Sequence, residues 1–397
     1  MALNDYYTLG SSGLRVSSLA LGTMTFDDGS WGSRPADSFA ILDCYFGLGG
    51  NFIDTANFYG GGQSEETLGA YFTANPGKRE RVVLATKFCM SLIPDDPNAG
   101  GAGRKAIVAQ LDRSLSRLKT DYVDLYWQHM WDRHTPIEET LSTLNDLVRA
   151  GKVRNIGMSN VPAWFVGEAV AIARLRGWEP IAALQVQYSL LTRTVEGEQF
   201  GAARAFGLGI VPWSPLANGT LSGKYSRERT GDPASSRARY AKLDEATFAV
   251  LDVLERIAST LGVTVAQVAL AWVRQQPRVT STLIGARTID QLETNLASID
   301  VDLDDAVVAE LNALTKPDLD YPWNVLPLGA GIQQGSCTIN GVSAEPFVRQ
   351  KCRNISSSSQ LLPPVLWLRR EYPLRVIRGR VGPPASPAMP AMPEKRK

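Results

Sequence analysis

The sequence predicts a (β/α)8 barrel, and three observations carry that prediction. From Val16 onward, eight short apolar runs of strand type alternate with eight amphipathic stretches of helical period. The runs are apolar nearly throughout, as strands covered on both faces must be, which favours parallel pairing. Residues capable of proton transfer fall at the ends of successive runs, where barrels of this kind collect their chemistry. A doubly wound open sheet is the competing architecture.

Ahead of the first run, TLGSSGLRVS sets turn residues between two short strand-like pieces and is expected to form a hairpin plugging the barrel bottom. The strands expected after it are, in order, SLALGTM, NFIDTA, VVLATK, VDLYWQH, RNIGMSN, AALQVQY, GIVPWSP and STLIGA. Helical periodicity fills the intervals at Ala36 to Phe46, Glu65 to Phe72, Arg104 to Leu118 and Ile137 to Ala150. It continues at Pro162 to Arg176, Glu196 to Phe206, Thr264 to Arg274 and Ile289 to Leu296. Asp244 to Leu261 and Asp304 to Leu314 read as helices added to this plan, and Ser214 to Lys242 as a long functional or irregular connection.

Composition bounds the function. A hydrophobic content of 44% is that of an ordinary globular chain and calls for no membrane segment. The start, MALNDYYTLGSSGLRVS, carries no basic region followed by an apolar stretch, so the expected location is cytoplasmic. Cys44, Cys89, Cys337 and Cys352 form no CxxC pair and no ligand-like spacing with the two histidines, so reduced thiols and no metal site are expected. Residues 1 to 322 hold 30 Lys and Arg against 37 Asp and Glu, whereas residues 323 to 397 hold 11 against 3. A net-acidic body offers no electrostatic footprint for nucleic acid.

The candidate chemistry rests on Asp54, Tyr59, Lys87 and His129, each at or just beyond the end of a strand-like run. A free phenol has a pKa near 10, and a neighbouring ammonium favours its phenolate, so Lys87 would tune Tyr59 as general acid and base. Asp54 would hold Lys87 through a charge-assisted hydrogen bond, and His129 would orient or donate to a substrate oxygen. That set suits carbonyl reduction. His134, in the loop after the fourth run, reads as a solvated residue.

Beyond the four residues, the motifs NFIDTANFYGGGQSEETLG, LATK, DLYWQH, GKVRNIGMSN, LQVQYSL, PWSPLANGTLSGKY and IGARTIDQLETNL occur in one order. On these the chain resembles the aldo-keto reductase superfamily over about residues 6 to 322. The resemblance implies a catalytic tetrad of Asp54, Tyr59, Lys87 and His129 in an NADPH-dependent carbonyl reductase whose partner is a small carbonyl or alcohol. It also implies coenzyme contacts from Gly22, Thr23, Met24 and Asp54, and from Ser159, Asn160 and Gln185 to the carboxamide. Trp213 would stack on the nicotinamide. Ser214, Leu216, Gly219 and Lys224 would face Gly285, Ala286, Arg287, Gln291 and Asn295 across the pyrophosphate and adenosine half. A helix opening near Arg287 suits phosphate, and its guanidinium could grip a 2′-phosphate.

Two glycine runs are decoys. GLGGNF precedes a strand, whereas a dinucleotide fingerprint follows one, so it reads as a helix stop. GGGQSEE lacks a phosphate-binding Lys and reads as the loop and helix start behind Tyr59. Met24, Phe26, Trp31, Phe88, Met90 and Trp131 are expected to ring the pocket, which suggests a bulky or ring-bearing substrate. The family pattern ends after Pro322, and the basic, Pro- and Ser-rich remainder, 323 to 397, reads as a mostly disordered tail. An alternative reading is a nicotinamide-binding regulatory subunit with little turnover. Another is a barrel isomerase or lyase using Lys87 as a Schiff base.

Overall fold

The computed structural model describes residues 3–27, 32–229, 242–326, 329, 333–334 and 337–343. Strands β1 (Tyr6–Thr8) and β2 (Arg15–Ser17) pair antiparallel as the expected hairpin. The eight strands that follow are β3 (Leu19–Gly22), β4 (Phe52–Asp54), β5 (Val83–Phe88), β6 (Val123–Gln128), β7 (Val153–Ser159), β8 (Ile181–Gln187), β9 (Gly209–Trp213) and β10 (Thr282–Ile284). They form one parallel sheet in the order β10-β3-β4-β5-β6-β7-β8-β9, the sequence of a (β/α)8 barrel rather than of a doubly wound sheet.

Helices α1 (Pro35–Gly47), α2 (Gln63–Ala74), α3 (Arg104–Leu118), α4 (Ile137–Arg149), α5 (Ala163–Arg176) and α6 (Glu198–Phe206) fill the first intervals. Helix α8 (Val265–Arg274) precedes β10, and α9 (Ile289–Leu296) follows it. The two additions are α7 (Glu245–Leu261) and α10 (Asp305–Leu314). Local sequence sets several starts. Thr264 and Gln267 form a reciprocal capping box on α8, and Thr288 caps α9 by accepting from the Gln291 amide. Expected bounds shift by one or two residues at half of the helix ends and coincide at the rest, as fraying turns allow. Helix α1 ends in the GLGGNF run, with Gly49 at φ 93°, so that run is a helix stop.

Strand periodicity divides the core in two. Ala20, Phe52, Val83, Ala85, Leu125, Trp127, Ala183, Val211 and Leu283 point into the barrel, joined by Leu9 and Val16 of the hairpin. The alternate residues, such as Leu21, Ile53, Leu84, Tyr126 and Ile210, pack outward against the helices. The interior is filled by side chains: a Cβ at Gly157 would lie 2.4 Å from the Trp127 ring, so the indole needs a glycine opposite it. At the barrel bottom, Ser11 donates through its backbone N–H to Gly207 O at 2.8 Å. Gly10, at φ 59°, sits so close that a Cβ would be 2.5 Å from Ala182 O and Gly209 N.

The ring of strands is nearly closed. Between β9 and β10 the joint consists of Ile210 N to Arg278 O at 3.2 Å and Thr280 N to Ile210 O at 2.8 Å. In a strand, residue 212 faces the same neighbour as residue 210, and Pro212 has no N–H to continue the ladder.

By its internal contacts the chain divides into Met1–Ala330 and Gly331–Lys397. In the first unit, Trp323 donates its indole N–H to Glu198 Oε1 at 2.7 Å. In the second, β11 (Thr338–Ile339) pairs antiparallel with β12 (Val342–Ser343). The expectation of a disordered tail falls largely outside the described residues, as do Trp31, Cys352 and part of the connection Ser214 to Lys242. Cys44 and Cys89 are free thiols. No helix of the described residues is long and apolar enough to cross a membrane.

Candidate active site

The inward parity of the strands carries Asp54, Lys87, Ser159, Gln185 and Trp213 to the last interior layer at the C-terminal end of the barrel, with His129 one step beyond β6. Lys87 is fully buried, which costs an ammonium much of its hydration unless partners replace it. It has three. Its Nζ donates to Asp54 Oδ2, to Thr55 O at 2.9 Å and to the Tyr59 hydroxyl at 3.2 Å. Gln185 Nε2 donates to the other carboxylate oxygen, Asp54 Oδ1, at 3.0 Å.

Tyr59 opens a short 3-10 turn, Tyr59–Gly62, whose Gly60 and Gly61 take left-handed φ of 58° and 67° before α2 begins. Those glycines let the chain reverse at once after Tyr59 and leave the phenol over Lys87, with the ammonium 4.8 Å from the ring centroid. GGGQSEE is thus the loop and helix start behind Tyr59. His129 meets Tyr59 edge-on, ring centroids 6.1 Å apart at 84°. It is held by its backbone N–H to Phe88 O at 3.1 Å, and its Nδ1 has no hydrogen-bond partner among the described residues.

Electrostatics departs from one expectation. Burial raises the Tyr59 pKa, and Lys87 offsets that only in part, so the unliganded phenol is neutral rather than poised as phenolate. Burial opposes the Lys87 charge, but Asp54 and Tyr59 outweigh it and its pKa is raised. Burial first, and then the Lys87 charge, lower the His129 pKa to about 3, so the imidazole is neutral.

The other expected coenzyme residues fall into two groups. Around β7 to β9, Trp213 Nε1 donates to Asn160 Oδ1 at 3.2 Å, while Asn160 Nδ2 donates to Ser159 Oγ at 2.9 Å and His129 O at 3.0 Å. Asn160 and Ser214 adopt left-handed φ of 53°, a conformation an asparagine tolerates better than most residues. Ser214 Oγ accepts from the Asn218 N–H at 2.9 Å, Gly219 N donates to Leu216 O at 2.9 Å, and a Cβ at Gly219 would be 3.4 Å from Lys224 Nζ.

Around β10, Thr25 Oγ1 donates to Ala286 O at 2.9 Å and Ser33 Oγ to Arg287 O at 3.0 Å, tying this segment to the loop after β3. Arg287 N donates to Gln291 Oε1 at 2.9 Å. Asn295, though four residues from Gln291 on α9, is buried and donates to Gly285 O at 3.2 Å. The exposed Arg287 guanidinium has no partner among the described residues. Gly22 ends β3, and Thr23 bonds to Asp54 O through both N and Oγ1. Met24 is 44% exposed. Neutral amides and hydroxyls near the tetrad, with a cationic side chain beyond the β10 strand end, suit a nicotinamide coenzyme with an anionic far half.

Two of the expected pocket residues are not in an open pocket. Phe88 follows Lys87 and so points outward, its ring centroid 4.8 Å from that of Tyr126. Phe26 is fully buried in the helix-facing core. Instead Met24, Phe58 and Met130 are exposed beyond β3, β4 and β6, and Trp131 packs edge-on with the 59% exposed Trp164 at 5.5 Å. His134 is exposed, as expected. Sequence reasoning missed the Thr55 carbonyl and the Asp54–Gln185 bond. A carbonyl leaves no trace in residue type, whereas strand parity alone would have turned Gln185 inward.

Comparison with known proteins agrees with this architecture. The model of the aldo/keto reductase family matches residues 18–316. An uncharacterized oxidoreductase of Bacillus subtilis, YrpG, is 39% identical over 317 residues, covering 78% of this chain and 95% of the relative. The norsolorinic acid reductase stcV of Emericella nidulans is 36% identical over 331 residues, 79% of this chain and 82% of the relative. An aryl-alcohol dehydrogenase of Pestalotiopsis microspora is 33% identical over 338 residues, 83% of this chain and 86% of the relative.

Proposed function

Since the chain belongs to the aldo/keto reductase family of NAD(P)H-dependent oxidoreductases, we propose that it reduces the carbonyl of ring-bearing aldehydes or ketones with NADPH, reversibly. The observation that carries this reading is the buried relay from Asp54 through Lys87 Nζ to the Tyr59 hydroxyl, 3.2 Å away. When bound, the reduced nicotinamide supplies a hydride to the carbonyl carbon. Tyr59, neutral before reaction, donates its proton to the carbonyl oxygen as negative charge develops there. Lys87 stabilises the phenolate left behind, and Asp54 keeps the ammonium in place.

His129, held neutral, can donate a hydrogen bond to the same oxygen without competing as an acid. Ser159, Asn160 and Gln185 would hold the carboxamide, and Trp213 would lie against the nicotinamide ring. Two lines support ring-bearing substrates: the names of the reductase and aryl-alcohol dehydrogenase relatives, and the Trp131 and Trp164 pair beside exposed Met24, Phe58 and Met130. NADPH consumption with a panel of aromatic and aliphatic carbonyls tests the reading. Turnover of aromatic members that collapses in Tyr59→Phe is expected. NADPH binding without turnover of any member would instead favour a regulatory subunit.

A further inference from the structure

We propose a second ligand site, separate from the tetrad, that takes a small amphipathic carboxylic acid. Behind the Tyr59 turn lies a cavity of about 310 Å³, roughly ten times the ~30 Å³ share of a water molecule. One wall is apolar, formed by Met90, Leu92, Ile93 and Ala99 from the β5–α3 loop. The other is polar, formed by Asn57 and by Gln110, Arg113 and Arg117, which recur at helical spacing along α3. Gly61 also lines the cavity, and a Cβ there would meet nothing within 4 Å among the described residues.

The polar wall is only partly satisfied. Asn57 is 2% and Gln110 3% exposed, yet Asn57 Oδ1 and Gln110 Nε2 have no hydrogen-bond partner among the described residues. Their amide orientations are fixed by other bonds. Gln110 Oε1 accepts from the Cys89 backbone N–H at 3.0 Å and from Asn57 Nδ2 at 2.8 Å, and Asn57 Nδ2 also donates to Met90 O at 2.9 Å. Turning either amide would break these bonds, so the orphan pair is one acceptor and one donor. Buried polar atoms left without partners are costly, and such sites are commonly completed by water or a ligand.

Charge selects the ligand. Arg117 is engaged by the buried Glu65, whereas Arg113 is exposed and has no partner among the described residues. A guanidinium beside an apolar wall matches a carboxylate on a hydrocarbon or aromatic body. The site adjoins the chemistry without sharing its groups: the Asn57 N–H donates to Lys87 O at 3.2 Å, two residues before Tyr59. Occupancy therefore bears on the turn that sets the phenol.

The test is calorimetric titration of 4-hydroxybenzoate into the full-length protein without coenzyme, repeated in Arg113→Ala, Leu92→Trp and Tyr59→Phe. The expected result is one site weakened tenfold or more by Arg113→Ala and by the cavity-filling Leu92→Trp, and unchanged by Tyr59→Phe. Arg113 lies on the surface, so its loss leaves the fold intact. The proposal is overturned if binding survives both cavity variants, if Tyr59→Phe abolishes it, or if wild type takes up no acid and the cavity holds water alone.

Discussion

Gln185 reaches from β8 to Asp54 on β4, its Nε2 donating to Oδ1 at 3.0 Å from strands that are not neighbours in the sheet. The carboxylate is thereby fixed on both oxygens, by Lys87 on one and Gln185 on the other. Gln185→Leu leaves one oxygen of a buried carboxylate without a donor. Such a group costs about 1–3 kcal/mol. Urea denaturation should show a loss in that range, and kcat should fall less than in Tyr59→Phe; a variant as stable as wild type would refute the assigned geometry.

Asp54→Asn removes the counter-charge of a fully buried ammonium. Breaking one side of such a pair is expected to destabilise by about 3–5 kcal/mol. Adding Lys87→Met removes the stranded charge, so the double variant should recover stability while remaining inactive. Equal stability of the single and double variants would contradict this account.

Acid should reveal His129. The folded imidazole is neutral down to about pH 3, whereas the unfolded side chain takes a proton near pH 6.5. Between those values the unfolded state binds more protons, so stability falls as pH drops below about 6.5. Wild type should therefore lose more stability than His129→Gln between pH 7 and pH 5. In proton NMR the His129 ring resonances should stay fixed through that interval, and a midpoint near 6.5 would count against a buried neutral ring.

Coenzyme preference should rest on Arg287, whose guanidinium has no partner among the described residues. Arg287→Ala is expected to weaken NADPH roughly tenfold while leaving NADH nearly unchanged, because only the former carries the 2′-phosphate. Fluorescence titration with both coenzymes checks this. A parallel loss for the two would point to the pyrophosphate instead.

The barrel was legible because strand and helix periods are written in residue type. The run VDLYWQH and strand β6 differ by one residue at one end. The meeting of Asp54, Tyr59, Lys87 and His129 was legible because each lies at or just beyond the end of such a run. Its protonation was not, since the Tyr59 pKa depends on how completely the fold excludes water, and the sequence shows only that Lys87 is near. Phe88 was misread for a related reason: an aromatic beside Lys87 was credited to the pocket, although period two sends neighbours to opposite faces. The orphan amide of Gln110 was invisible, because it depends on which partners α3 and two loops happen to offer.

Pro212 leaves the upper end of the β9–β10 seam without a ladder donor. With no donor to fasten it to β10, the upper edge of β9 is tied to that side lower down, at Ile210, among the described residues. The segments beyond these two strands, from Ser214 and from Gly285, are the two jaws expected to close on the coenzyme's phosphates. A coenzyme lodged there would act as the missing clasp, and its departure would need only the jaws to part rather than the barrel to break. Pro212→Ala restores a donor at the seam; it should slow NADPH release in stopped-flow, while an unchanged rate would mean that the jaws move elsewhere.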